Sequence, residues 1–267
     1  LKKIKRGHTI EKVYDAIKIL KNNGYKVDIH LMPNLPGSSY EMDKKMMDDS
    51  LYDDRLQVDQ YKIYPTAIVP WTQIKDWYDK GEYIPYNDML LFELIKEFKK
   101  KVQKWKRLNR IIRDIPSTYI TGGYDHKSVN MRQLLQNDMK KNKWKCKCIR
   151  CREIGDRQIS DNLIKLKTIM YRGSEGNEYF ISFESEEYLV GFIRLRINTS
   201  PDTANILPVL KDAALIRELH VYSNVNCVGV SNNASMQHKG YGTKLIEEAE
   251  KIAKQNGLYK VAIISGT

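Results

Sequence analysis

Apolar residues along the chain recur with two different periods. Over residues 9–24, Val13, Ala16, Ile17 and Leu20 fall at helical spacing, with Thr9 placed to cap the start and Gly24 to end it. Residues 26–32 (Lys-Val-Asp-Ile-His-Leu-Met) read as a strand, broken afterwards by Pro33, Pro36 and Gly37. A helix is predicted over 40–54 and a strand over 60–64, closed by Pro65. Helix, strand, loop, helix, strand is the rhythm of an α/β barrel or a doubly wound sheet, where loops after the strands carry the chemistry. That points to Asn34, Leu35, Pro36 and Gly37, and to Lys62, Tyr64 and Pro65; turn chemistry alone is the competing reading. Residues 66–87 read as irregular. A long helix is predicted from about 87 to 112, with Leu91, Leu94, Ile95, Phe98, Val102, Trp105 and Ile112 as its stripe and Pro116 beyond its end. Residues 131–141 also read as helical.

From about residue 159 the pattern becomes β-type. Strands are predicted over 179–183, 189–197 and 215–222, the first two joined by an acidic turn at 184–187. Residues 198–212 read as a polar insertion, and 223–236 as a loop of Asn, Ser and Gly holding Cys227, taken as structural. A helix over 243–253 follows, its inner face Leu245, Ile246, Ala249, Ile252 and Ala253, and then a strand over 260–264. Between strand and helix stand residues 237–242, Gln-His-Lys-Gly-Tyr-Gly. Two glycines at a helix start allow close backbone approach and leave N–H groups at the positive end of the helix dipole, which suits a pyrophosphate. The Q-x-x-G-x-G pattern resembles the acyl-coenzyme A loop of the GNAT acetyltransferases. An ordinary helix start with turn glycines is the alternative.

Composition narrows the class. The chain has 267 residues, 42% of them hydrophobic, enough for one large or two ordinary domains. No apolar run approaches the ~18 residues of a membrane helix, and no signal-peptide pattern opens the chain. Four cysteines, three of them crowded, make no secretory disulfide framework, so a reducing cytoplasmic setting is expected. The chain opens on Leu1 and stops just after a strand, so a piece of a longer protein is expected.

Charge is concentrated. Residues 96–113 hold nine Lys/Arg against one acid and residues 127–152 another nine against one, within a net charge of +12. Such blocks predict a polyanion partner, nucleic acid before acidic membrane; a solvated lysine-rich face is the alternative. Cys146, Cys148 and Cys151 form C-x-C-x2-C, a spacing that lets three thiolates reach one metal, zinc or an iron–sulfur cluster; unligated thiols in a basic loop are the alternative. His126 is the nearest candidate for a further ligand, and Lys145, Lys147 and Arg150 favour thiolates.

Several phrases together resemble one family. They are residues 7–9 (Gly-His-Thr), 30–37 (His-Leu-Met-Pro-Asn-Leu-Pro-Gly), 59–66 (Asp-Gln-Tyr-Lys-Ile-Tyr-Pro-Thr), 110–117, 130–133, 146–155, 217–222 (Arg-Glu-Leu-His-Val-Tyr), 237–242 and 247–253. In this order they are similar to the catalytic subunit of Elongator, a tRNA wobble-uridine acetyltransferase. The resemblance implies an α/β plus α+β fold in three parts: the C-terminal part of a radical S-adenosylmethionine (radical SAM) TIM-type barrel over 1–95, a basic helical linker with a zinc-type cysteine cluster over 96–158, and a GNAT domain over 159–267, lacking its last segment. It implies acetyl-CoA, S-adenosylmethionine and a [4Fe-4S] cluster as cofactors, the cluster's cysteines lying outside this chain. It implies carbon–carbon bond formation at the wobble uridine, leading to carboxymethyl-type uridines, and as partners tRNA with other Elongator-type subunits or a second copy. Carried onto this chain, Gln237, Lys239, Gly240, Tyr241 and Gly242 bind the pyrophosphate, and Glu218, Leu219, His220 and Val221 lie along the pantetheine arm, with ordinary strand polar residues as the other reading of Glu218 and His220. Lys62 and Tyr64 face the uridine or S-adenosylmethionine pocket, with barrel packing as the other reading. Lys99, Lys100, Lys104, Arg107, Arg110, Lys140, Lys143, Lys145 and Lys147, with Trp105 and Trp144, would hold tRNA. The rival functions are a protein (histone) lysine acetyltransferase and a catalytically incomplete tRNA-binding fragment.

Overall fold

The computed structural model describes residues 1–112, 115, 117–123, 131–199, 206–222 and 240–264. His126, Cys227, Gln237 and Lys239 lie outside the described residues. The chain forms two compact units: one comprises Leu1–Val13, Asp28–Asp53 and Val58–Cys148, the other Tyr14–Val27, Asp54–Gln57 and Ile149–Thr267. In chain order the elements are α1 (Ile10–Asn22), β1 (Asp28–Leu31), α2 (Tyr40–Tyr52), β2 (Gln60–Ile63), β3 (Ala67–Ile68), α3 (Gln73–Asp79), α4 (Asp88–Lys101), β4 (Arg107–Ile111), β5 (Gly122–Gly123), α5 (Met131–Lys141), α6 (Ile149–Arg152), β6 (Lys165–Arg172), β7 (Gly176–Glu184), β8 (Leu189–Asn198), β9 (Ala214–Val221), α7 (Tyr241–Gln255) and β10 (Val261–Ile263).

In the first unit β1, β2 and β4 make a parallel sheet in that order, with helices in the crossovers as parallel pairing requires. Leu31, Tyr61, Ile63 and Leu108 are buried in the sheet; Met47 and Leu51 of α2 and Leu91, Leu94, Ile95 and Phe98 of α4 are buried in the helices. Tyr61 meets Phe98 edge to face at 5.4 Å. Lys106 is fully buried, and its Nζ donates to the Ser50 and Leu51 carbonyls at 3.1 and 3.3 Å and to the Tyr61 hydroxyl at 2.8 Å. An ammonium thus closes the carbonyl end of α2, where the helix dipole favours positive charge.

The long helix expected over 87–112 is corrected. α4 stops at Lys101, and residues 107–111 are a strand pairing with β2. Lys106, part of the first basic block, is drawn inside by three oxygen acceptors. Residues 66–87 hold β3 and α3, α3 being capped by Thr72, whose hydroxyl accepts from the Lys75 N–H.

In the second unit five strands run β10-β9-β8-β7-β6, antiparallel except for β9 with β10. Leu245, Ala249, Ile252 and Ala253 of α7 pack with Ile181, Ile193, Leu195, Ala214 and Ile216 of the sheet. Each such fully buried Leu or Ile contributes about 1.5–3 kcal/mol. β6 has no counterpart among the sequence expectations. The strand alternation sends Glu178, Arg194 and Arg196 to the face away from α7, and they are as buried as the apolar residues beside them. There Glu178 accepts from Arg196 at 2.8 Å and Arg217 at 2.6 Å and pairs with Lys21 at 3.1 Å. The Asn22 side chain also receives Arg196. This carboxylate ties residues 14–27 to the sheet.

Candidate functional site

The parallel pairing of β10 covers only Ala214, Leu215 and Ile216 of β9. Beyond them β9 continues to Val221 alongside β8 alone among the described strands. The Tyr222 N–H bonds the Val190 carbonyl at 2.8 Å, which fixes the alternation of the ladder. His220 and Glu218 therefore turn their backbone groups to β8, while Leu219 and Val221 turn theirs to the open edge. A one-residue register shift opposite Arg194 and Leu195 bends β9 where the divergence begins.

The N-terminus of α7 stands beside this edge. A side-chain carbon added at Gly242 would lie 3.9 Å from the Val221 side chain. Gly240 caps the helix with φ 73°, a left-handed conformation, and no side chain caps the first turn. The N–H groups of Tyr241, Gly242 and Thr243 precede the first helical bond, which runs from the Lys244 N–H to the Gly240 carbonyl. Tyr241 is buried against Phe183 at 4.8 Å and holds the turn in place. Its hydroxyl lies 3.4 Å from Asp161, and burial, then that carboxylate, push its pKa up. Three N–H groups at a positive helix end, next to a strand edge offering amide donors and acceptors, suit a ligand with a phosphate group and an amide-bearing arm. Acetyl-CoA has both parts.

The Glu218 and His220 side chains share the other face with Phe180 and Phe192. Those rings stack at 5.1 Å, and the Arg194 guanidinium lies 5.5 and 5.4 Å from them. Glu218 accepts from Arg194 at 2.8 Å and from Lys26 at 3.1 Å. Burial works against its ionisation, but the two cations outweigh it and hold its pKa below the usual carboxylate value. His220 packs on Tyr222 at 4.3 Å.

In the first unit, strand register places His30 beside Lys62 and Asp28 beside Gln60. Lys62 pairs with Asp28 at 3.1 Å, and the Asn109 amide donates to the same Asp28 oxygen at 2.9 Å. Tyr64 meets His30 edge to face at 5.3 Å. Lys62 and Tyr64 thus belong to a polar cluster on one face of the parallel sheet. Asp28 and Asn109 complete it; sequence reasoning passed over them because each looked like an ordinary strand or helix residue.

The loop after β1 is fastened. Asn34, at φ 68°, donates its N–H to Asp43 at 2.6 Å and exchanges side-chain bonds with the Tyr86 backbone at 3.0 and 3.1 Å. Ser38 and Tyr86 hydroxyls also donate to Asp43, at 2.7 and 2.9 Å. Burial and the Asp43 charge push Tyr83 up to about 12 and raise Tyr86 as well, so both stay protonated donors.

The Sγ atoms of Cys146, Cys148 and Cys151 all lie within 4.8 Å of one another, the first two residues buried and the third exposed. Thiolates around a tetrahedral ion with bonds of about 2.3 Å stand ~3.8 Å apart, so small side-chain adjustments suit this set to a thiophilic metal. Lys140, Lys143, Lys145, Lys147 and Arg110 are exposed, and Lys104 and Arg107 half-buried. Lys99 is buried at 8% exposure, unlike its neighbours in the expected basic face. Lys100 pairs with Glu97 at 3.1 Å and lies over Trp144 at 5.6 Å. Trp144 donates to Asp138 at 2.6 Å.

Residues 58–141 match the family model described as the Radical_SAM C-terminal domain, and residues 150–266 match the Acetyltransferase (GNAT) family. The chain is 39% identical to a tRNA uridine(34) acetyltransferase of Methanocaldococcus jannaschii, over 98% of this chain and 49% of that protein. It is 38% identical to one from Dehalococcoides mccartyi, over 99% and 58%, and 36% identical to Elongator complex protein 3 of Drosophila melanogaster, over 98% and 48%. Among solved structures, Methanocaldococcus infernus Elp3 with an N-terminal deletion superposes with a TM-score of 0.87 at 36% identity, covering 98% of this chain and 63% of that one. The chain spans about half the length of the curated relatives it matches.

Proposed function

We propose, for a chain that belongs to the family of Elongator complex protein 3 and the tRNA uridine(34) acetyltransferases, that it supplies the acetyl-donor site of a wobble-uridine-modifying enzyme. The observation that carries this reading is the divergence of β9 from β10 beside the glycine-led start of α7. The N–H groups of Tyr241, Gly242 and Thr243 hold the acetyl-CoA pyrophosphate, with Gln237 and Lys239 adding to the cradle. Leu219 and Val221 pair with the amides of the pantetheine arm as a short substitute strand. Glu218 is kept ionised as the counter-charge of Arg194 and Lys26, so it positions the bend of β9 rather than moving a proton.

S-adenosylmethionine with a [4Fe-4S] cluster supplies radical chemistry when bound. This chain's contribution is the strand face of His30, Lys62 and Tyr64, with Asp28 and Asn109 holding Lys62 in place for the substrate base or the sulfonium ligand. Cys146, Cys148 and Cys151 hold zinc, with His126 or another group as the remaining ligand. The exposed lysines around the cysteine segment, together with Lys104, Arg107 and Arg110, contact tRNA phosphates. We keep the three-part layout of 1–95, 96–158 and 159–267, and a cytoplasmic setting, as parts of this proposal.

The test uses the full-length protein and acetyl-CoA. Coenzyme A release should be stimulated by tRNA and not by a histone-tail peptide. Stimulation by the peptide alone would support protein lysine acetylation and overturn this reading.

A further inference from the structure

β6 is the outermost strand of the five-stranded sheet. It is eight residues long and pairs with β7 in an unbroken antiparallel register from Lys165 opposite Glu184 to Arg172 opposite Asn177. The hairpin closes with Gly173 and Gly176 exchanging both backbone bonds, at 3.0 and 3.1 Å. Counting back from that pair, Tyr171, Ile169, Lys167 and Lys165 turn their N–H and C=O groups to β7. Leu166, Thr168, Met170 and Arg172 turn theirs outward, and no strand lies beyond them among the described residues. Long, straight edges of this kind are templates for another strand.

The side chains say what that strand would be. Leu166 and Met170, on the same face of the edge, are 40% and 54% exposed, and Leu163 just before the strand is 58% exposed. Leu166 and Met170 form an apolar shelf beside the outward-facing backbone groups. The strand also carries Lys165 and Lys167 on its opposite face, Lys167 pairing with Glu184 of β7 at 3.2 Å while staying 42% exposed, and Arg172 at its end, with no acid. Lysines on an edge commonly guard against self-pairing, and here they do so in every register. A second copy would set cations only against cations or neutral residues, whereas an acidic strand meets complementary charge.

We propose that the outer edge of β6 is a docking edge for an extended segment of a partner protein that alternates acidic and apolar residues, added as a sixth strand. Main-chain bonds to Leu166, Thr168, Met170 and Arg172 give the affinity, the Leu166–Met170 face takes its apolar side chains, and Lys165 and Lys167 on the opposite face select its acids. The inference is independent of the acetyl-donor reading, since the β9 edge lies three strands away in the sheet order.

The experiment titrates the chain with a synthetic ten-residue peptide of alternating glutamate and valine. Amide exchange is followed residue by residue. Exchange at Leu166, Thr168, Met170 and Arg172 should slow by about tenfold or more, with Leu219 and Val221 unchanged. A lysine–valine peptide, and a glutamate–valine peptide N-methylated at alternate residues, should give no slowing. Thr168→Pro removes one outward N–H and no bond to β7, and should abolish binding; Lys165→Gln should weaken it by about threefold. Lack of slowing at the four amides, equal binding of the lysine–valine or N-methylated peptide, or protection that rises with protein concentration without peptide would overturn the proposal.

Discussion

Glu178 gathers three buried cations in the second unit. It is 1% exposed and carries Lys21, Arg196 and Arg217 at 3.1, 2.8 and 2.6 Å. Replacing it would leave three buried cations without their anion. Glu178→Gln should therefore lower unfolding stability by about 3–5 kcal/mol, read by urea denaturation. Glu218 gives a pH-dependent contribution whose sign follows from its cations. Its folded pKa lies below its ordinary value, so the stabilisation is present above the ordinary carboxylate range and is lost as pH falls through the folded value. Denaturation midpoints should fall on acidification below that range, and less so in Glu218→Gln. Both carboxylates stand out in the sequence only as polar residues in apolar strands, and their partners Lys21 and Lys26 are more than 150 residues away in the chain.

Among elements, the start of α7 was the most legible, because a glycine pair before an amphipathic helix has one economical geometry. Gly240→Ala would hold a side chain at φ 73°, a strain of about 1–2 kcal/mol that the turn relieves by moving its N–H groups. Acetyl-CoA binding should weaken by about tenfold in calorimetry, with the far-ultraviolet spectrum unchanged. β6 was not legible. Its hairpin turns through Ser174 and Glu175, both at positive φ, with glycine at the flanking positions rather than the central ones where sequence signals place it. The end of α4 was likewise misplaced, because residues 102–106 carry no helix breaker and the stop is imposed by burial of Lys106. The cysteine segment was readable from spacing alone. Chelation, or Cys148→Ser, should release one metal equivalent by elemental analysis and leave acetyl-CoA affinity unchanged; metal-free protein as purified would refute the assignment.

For the whole molecule, the concentration of +16 in two blocks against a net charge of +12 argues for a phosphate-rich partner. tRNA affinity should fall by at least about tenfold between 50 and 200 mM salt, and exchanging Lys140, Lys143 and Lys147 for glutamine should flatten the log–log slope by about one per residue. The sequence by itself determined the α/β and α+β character, the glycine turn, the thiol cluster and the charge blocks, because each is written in neighbouring residues and local backbone preference. Tertiary structure decided that β9 parts from β10 after Ile216, that Leu219 and Val221 rather than Glu218 and His220 face the open edge, and that Lys21, Lys99 and Lys106 are buried. Those outcomes depend on strand register and on desolvation balanced by distant partners, neither of which is encoded in any short stretch of the chain.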